Sequence, residues 1–264
     1  MNQGSVLIFA AHADDTEFFA GGAVARFVAE GRDVYEVITT NNERGSFELD
    51  SSTLVTQSRD REAREAARIL GKKDLFFLEY PDGFLADYPV NEIREKFMRL
   101  IRQLKPRIVM TFDPWAPFET HPDHRLVATA AMEAAGFAHM PLFHPEHRKE
   151  GLEPHLVAEY YYFAKHAERA NHIVDITPFI DRKIDALCAH DSQMKLTIDD
   201  MRLNLAVAGM DPNQLAMLDR DNYRPALEMA IRQWAGNVGA KAGFEYGEEF
   251  RRETAGDLLK EIMG

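Results

Sequence analysis

At 264 residues and 45% hydrophobic content, the chain has enough apolar material for one large α/β domain or two small ones. A formal net charge of -12 argues against nucleic acid or an anionic membrane face as partner, because both attract basic surfaces. The single Cys188 allows no internal disulfide and no thiolate-rich metal centre, and no stretch approaches the roughly 18 apolar residues of a membrane span; a soluble, cytoplasmic protein is expected.

Ser5–Ala11 (SVLIFAA) is a continuous apolar run, the pattern of a strand buried on both faces of a parallel sheet. No basic segment precedes it and acids follow at once, so it reads as a strand rather than an export signal. Glu17–Glu30 reads as a helix stopped by Gly31, and Asp33–Thr39 as the second strand. Gln57–Leu70 is helical up to Gly71, Leu75–Leu78 is a short strand, and Pro81-Asp82-Gly83 is a turn. Val90–Leu104 is an amphipathic helix closed by Pro106, followed by a fourth strand at Arg107–Phe112. Strands are expected again within His155–Phe163 and at His172–Asp175, then a helix over Pro178–Ala189 and mostly helix from Leu196 to the end. The alternation predicts a Rossmann-like, doubly wound, mostly parallel sheet with a helical C-terminal extension, forming one domain over residues 1–264. The segment at roughly 194–245 is the least regular and could serve as a lid, a substrate wall or an oligomer contact.

Two short segments carry the chemistry. Ala11-His12-Ala13-Asp14-Asp15-Thr16-Glu17 follows the first strand, and His121-Pro122-Asp123-His124 lies in the loop after the fourth. In a sheet ordered 3-2-1-4-5, those two loops flank the topological switch point, where open α/β sheets bind ligands. Imidazoles and carboxylates are the usual non-thiol zinc ligands, and His12, Asp14, Asp15, His121, Asp123 and His124 exceed the three that a catalytic site needs. The surplus suits hydrolysis, which asks for a carboxylate to take a proton from water and an imidazole to stabilise an oxyanion or protonate an amine. Adjacent Asp14 and Asp15 cannot easily point at one atom, so one is expected on the metal and the other as base. The plainer alternatives are helix caps for the aspartates and surface positions for the histidines. Gly21-Gly22 lacks GxGxxG spacing and fits close helix packing better than a dinucleotide site. No GxSxG elbow occurs. His139, His144 and His147 are expected as scattered surface histidines, and Tyr160–Tyr162 as core aromatics.

These residues make the sequence resemble the LmbE-like, or PIG-L, N-acetylglucosaminyl deacetylases, whose motifs read AHPDD and HPDH. The likeness continues through Arg59–Glu62 with Ala66–Gly71, Tyr80–Gly83, Val174–Ile176, Lys183, His190–Gln193 and Tyr246–Arg251. It implies His12, Asp15 and His124 as ligands of one divalent metal, zinc or else Fe2+ or another first-row ion. It also implies Asp14 as general base, His121 as acid and oxyanion stabiliser, Asp123 as tuner of an imidazole, and Arg59 as substrate contact. The reaction it implies removes acetyl from an N-acetylglucosamine-type amide. An amidase acting on another N-acyl or thiol-conjugate amide, and a non-catalytic metal-bearing scaffold, are the competing readings. A homo-oligomer is suggested only by relatives. Three departures stand out: Ala13 replaces the usual proline, Asn42 sits where a glycine is usual, in a turn that asparagine can sustain at positive φ, and the stretch after Gln193 is longer than in many members, so the resemblance does not carry over the substrate's identity.

Overall fold

The computed structural model describes residues 4–47, 52–211, 218–257 and 262–263. Its strands are β1 (Val6–Ala10), β2 (Val34–Thr40), β3 (Asp74–Tyr80), β4 (Ile108–Phe112), β5 (Glu159–Phe163), β6 (His172–Asp175) and β7 (Gly247–Thr254). The helices comprise α1 (Asp15–Ala29), α2 (Ser52–Leu70), α3 (Val90–Leu104), α4 (Pro122–Phe137), the single turn α5 (Glu146–Lys149), α6 (Ile180–Ala189), α7 (Asp191–Val207) and α8 (Arg224–Ala240). All seven strands join one sheet in the order β3-β2-β1-β4-β5-β7-β6. The pairs from β3 through β5 are parallel, whereas β7 runs antiparallel to both β5 and β6. The fold class is therefore the expected one.

β1 shows why its apolar run is continuous. Val6 and Ile8 face one core layer, with the apolar faces of α1, α6 and α8. Leu7 and Phe9 face the other, with α3 and α4. A strand with helices on both sides must be apolar at every position. On the second face, Ile93, Phe97 and Ile101 of α3 meet the alanine stripe Ala130, Ala131, Ala134 and Ala135 of α4, all buried. Small residues on one helix let the large ones of its neighbour approach closely. Gly22 serves the same end on the first face, because a Cβ there would lie 2.7 Å from the Ile176 side chain.

The expectation of helix from Leu196 to the end fails at β7. GEEFRRET forms a strand whose Phe250 is fully buried and whose Glu248 reaches the middle of α1. Glu248 accepts the Gly22 and Ala23 N–H groups at 2.9 and 2.7 Å and pairs with buried Lys183 at 2.6 Å. His147 also departs from expectation. It is fully buried, with Nδ1 taking Arg102 and Nε2 facing Glu95, so it is no surface histidine. With both ring nitrogens engaged and a guanidinium alongside, the nearby His144-Glu146-His147 group is unsuited to a cation. Among the described residues, no helix is long and apolar enough to cross a membrane.

Candidate metal centre

β1 and β4 are parallel neighbours, and the chain leaves them toward opposite sides of the sheet, so the loops at their C-terminal ends open a crevice between them. The loop after β1 is folded back by Asp15, whose Oδ2 accepts the N–H groups of Ala11 at 3.0 Å and His12 at 2.8 Å. Asp14 occupies the N-cap position of α1, yet its side chain makes no capping bond. It instead accepts from Arg59 Nη2 at 2.5 Å, and both side chains are buried. The cap reading of Asp14 therefore fails.

Donor atoms of three residues from the two loops converge, with Asp15 turning a different oxygen toward each histidine. His12 Nδ1 lies 3.2 Å from His124 Nε2 and 3.6 Å from Asp15 Oδ2. His124 Nε2 lies 3.3 Å from Asp15 Oδ1. A tetrahedral centre with bonds of about 2.0–2.1 Å has ligand-to-ligand edges of roughly 3.3 Å, so these atoms already stand at coordinating separation. The rings of His121 and His12 also approach, with centroids 4.5 Å apart. Sets built on His12, His121 and His124, or on His12, Asp82, His121 and Asp123, are close enough to be considered. Their other members have partners of their own, whereas Asp15 keeps Oδ1 toward His124 while only its Oδ2 takes the loop N–H groups. His121 Nδ1 accepts the Asp123 N–H at 3.3 Å, and the Asp123 carboxylate accepts the N–H groups of Gly83 at 2.6 Å and Leu85 at 3.3 Å. The donor set His12, Asp15 and His124 fits a divalent cation on distance, burial and chemistry.

Behind this set stand carboxylates. Asp82 Oδ1 lies 3.0 Å from His12 Nε2, while its Oδ2 accepts the Arg44 N–H at 3.1 Å. Glu119 Oε2 lies 3.4 Å from His124 Nδ1. Such carboxylate–histidine pairs orient metal-ligating imidazoles and fix their tautomers. The charges respond accordingly. Burial pulls His12 down, but Asp123, Asp15 and Asp82 carry it well above its usual value. Burial also opposes the upward pull of Asp15 on His124, and the net effect is upward. Burial raises Asp15, yet His124 and His12 hold it well below the carboxylate range. Glu119 is pushed up by burial and brought down to about 2 by His124 and the His121 N–H. His121 lacks a carboxylate partner of this kind, and burial together with His12 and His124 pushes it down to about 4. The carboxylates thus favour positive charge between His12 and His124, which is the charge a cation brings.

The open side is a cavity of about 330 Å³ lined by His12, Asp14, Asp15, His121, His124, Arg59, Arg44, Gly45, Asp82, Gln193 and Leu196. The structure thus gathers His12, Asp14, Asp15, His121, His124 and Arg59 on one cavity. Asp123 lies behind it, buried, with its carboxylate 3.8 Å from His12 Nε2. Arg59 does not pair with Glu62, which instead binds the backbone and hydroxyl of Ser192 at 2.9 and 2.7 Å. Gly45 packs so tightly that a Cβ would fall 2.7 Å from Arg59 and 2.8 Å from Gln193. Glu17, by contrast, is fully buried and bonded to Lys72. Sequence reasoning missed Asp82 and Glu119. Each sits in a turn or loop where a carboxylate has an ordinary local explanation, and its histidine partner belongs to a different motif position.

Fold and cluster together define an α/β protein whose histidines and carboxylates could hold a metal ion. A sequence model of the PIG-L family, described as GlcNAc-PI de-N-acetylase, matches residues 7–135. Diacetylchitobiose deacetylase of Thermococcus kodakarensis is 32% identical over 71% of this chain and 69% of its own length. The structure of N,N'-diacetylchitobiose deacetylase from Pyrococcus horikoshii superposes with a TM-score of 0.77 at 30% identity, covering 95% of this chain and 84% of that one. The chain belongs to the PIG-L family. A likeness of fold alone extends to the 4-carboxy-2-hydroxymuconate hydratase GalB of Pseudomonas putida, with a TM-score of 0.70 at 21% identity over 96% of this chain and 97% of that one. Fold alone therefore does not determine the reaction.

Proposed function

We propose that this protein is a metal-dependent hydrolase that removes the acetyl group from the amide nitrogen of an N-acetylglucosamine-type amino sugar. The observation that carries this reading is the convergence of His12 Nδ1, Asp15 and His124 Nε2 within 3.6 Å of one another, on a cavity that also holds Asp14 and His121. A scaffold that merely held a metal would have no use for the last two. His12, Asp15 and His124 would hold the cation, with zinc the first choice for two imidazoles and a carboxylate, and iron(II) also compatible. A bound cation supplies acidification of water and polarisation of the amide carbonyl.

The side chains perform the rest. Asp14 takes the proton from the attacking water, and its bond to buried Arg59 fixes the direction in which the carboxylate faces. His121 Nδ1 is occupied by the Asp123 N–H, so the ring proton sits on Nε2, and that N–H is free to meet the oxyanion as charge develops on it. Asp14 then returns its proton to the departing amine nitrogen. Asp123 acts as a positioning residue through its own N–H to His121 and through the Asp82 turn, which its carboxylate anchors. Gln193 and Leu196 bring the start of α7 into the cavity wall, where that helix would contact the rest of the sugar conjugate.

The test is acetate release from a panel of N-acetylated amino sugars and other N-acyl amines, using metal-loaded and chelator-stripped protein. Activity on the sugars that disappears on stripping and returns with zinc or iron(II) is expected. Asp14→Asn should keep its metal and lose at least about 100-fold in turnover; His124→Ala should lose metal and turnover together. Full turnover in Asp14→Asn, or in stripped protein, would remove this reading. Cleavage confined to non-sugar amides would replace the substrate and keep the site.

A further inference from the structure

We propose that Glu119 is a positioning residue for the metal site, fixing the tautomer of His124 and tying that ligand to the turn that carries His121. The inference rests on the metal-dependent reading above. Glu119 lies in the loop after β4, yet its side chain is only 6% exposed. Its two oxygens are divided between two histidines. Oε1 accepts the His121 N–H at 2.9 Å and lies 3.4 Å from Lys165 Nζ, while Oε2 faces His124 Nδ1 at 3.4 Å. Among the described residues, His124 Nδ1 is buried and has no formed hydrogen bond.

The remaining freedom of the His124 ring is already restricted. Phe112 stacks on it with centroids 4.1 Å apart, and His121 stacks with centroids 4.5 Å apart. Stacking fixes the plane of an imidazole but leaves open which nitrogen carries the proton. A carboxylate facing Nδ1 selects the Nδ1–H tautomer, which leaves the lone pair on Nε2, the atom that faces His12 and Asp15. At 3.4 Å the pair is longer than a good hydrogen bond, so the carboxylate acts on Nδ1 by its charge and position.

The backbone supports the same assignment. Phe118, the residue before Glu119, adopts φ +59° although it is bulky and 78% exposed. A non-glycine residue in that region is strained, and so exposed a ring recovers little of the cost by burial. The turn that directs Glu119 inward is kept despite that cost. Lys165 from the loop after β5 approaches the same carboxylate, so strands β4 and β5 both contribute to its placement.

Glu119→Gln is the discriminating variant. The amide can still accept the His121 N–H, but its NH2 would then face His124 Nδ1 and favour the opposite tautomer, placing a proton where the cation belongs. Zinc dissociation constants of stripped protein, measured by competition with a chromophoric chelator, should rise about 10–100-fold in Glu119→Gln. Glu119→Asp should recover part of that loss and Glu119→Ala none. Thermal melting of the stripped variants shows whether the fold survives. In the zinc-loaded parent, NMR should show the His124 ring proton on Nδ1. Parent-like zinc affinity in a folded Glu119→Gln, or a parent His124 protonated on Nε2 with zinc bound, overturns the proposal. A parent that binds zinc but releases no acetate sinks the proposed function alone, and the affinity ratio still decides the role of Glu119. A parent that binds no metal sinks both.

Discussion

Ala13 and Asn42 stand 29 residues apart and hold one another, with the Ala13 N–H donating to Asn42 Oδ1 at 2.9 Å in a fully buried contact. Asn42 adopts φ +57°, a conformation that asparagine tolerates better than most residues. Ala13 has the N–H that a proline lacks, and Asn42 has the side-chain oxygen that a glycine lacks. Each residue thus supplies what the other uses in this contact. Asn42→Gly should cost about 1–3 kcal/mol by leaving a buried N–H unpaired, and Ala13→Pro should strand the acceptor. The double variant should cost less than the two single costs added, with a coupling of at least about 0.5 kcal/mol in urea melts. Strict additivity would show that the contact carries no weight. The convergence of His12, Asp14, Asp15, His121 and His124 on one cavity was legible because they lie in two compact motifs at strand ends. Asp82 and Glu119 were not, because their meaning depends on histidines that only the folded sheet brings within reach.

Among the elements, α7 shows how a helix can be set against a catalytic face. Glu62 on α2 accepts from both the N–H and the hydroxyl of Ser192 in the first turn of α7, where unpaired N–H groups and the positive end of the helix favour a carboxylate. The same α2 carries Arg59, so one helix positions Asp14 and the cavity wall together. Glu62→Ala should lower stability by about 1 kcal/mol. It should also raise KM for sugar substrates more than it lowers kcat, with faster amide exchange in the first turns of α7 as the structural readout. An unchanged KM would detach α7 from substrate binding. The parallel strands could be read from sequence because burial on both faces demands continuous apolar runs. β7 escaped because its charges are satisfied sideways. Arg252 reaches Glu159 at 2.7 Å and Arg251 reaches Asp113 at 3.1 Å, so a segment with little apolar content still forms an interior strand.

For the molecule as a whole, a group of buried ions ties the helix that follows His12 to the sheet. Lys72 donates at 2.6 Å to both Glu17 of α1 and Glu36 of β2, and all three side chains are at most 1% exposed. The trio joins the helix that begins at Asp15 to the sheet. Lys72→Met would leave two buried carboxylates without their cation and should cost about 3–5 kcal/mol in a denaturation measurement. A loss below about 1 kcal/mol would mean that the carboxylates take up protons without penalty. Restoring part of the loss with Glu17→Gln and Glu36→Gln added would identify the charges as its source.

β7 enters between β5 and β6 rather than at the margin, and among the described residues β6 pairs with β7 alone. Severing the chain in the loop near Gly243 would leave a slot flanked by two waiting strands, a shape ready to receive an extended peptide from outside. Two separately produced pieces, one ending before that loop and one carrying Gly247–Thr254, should reassemble on mixing and regain hydrolysis that neither has alone. The protein would then work as a split reporter whose signal depends on a strand far from the reacting atoms.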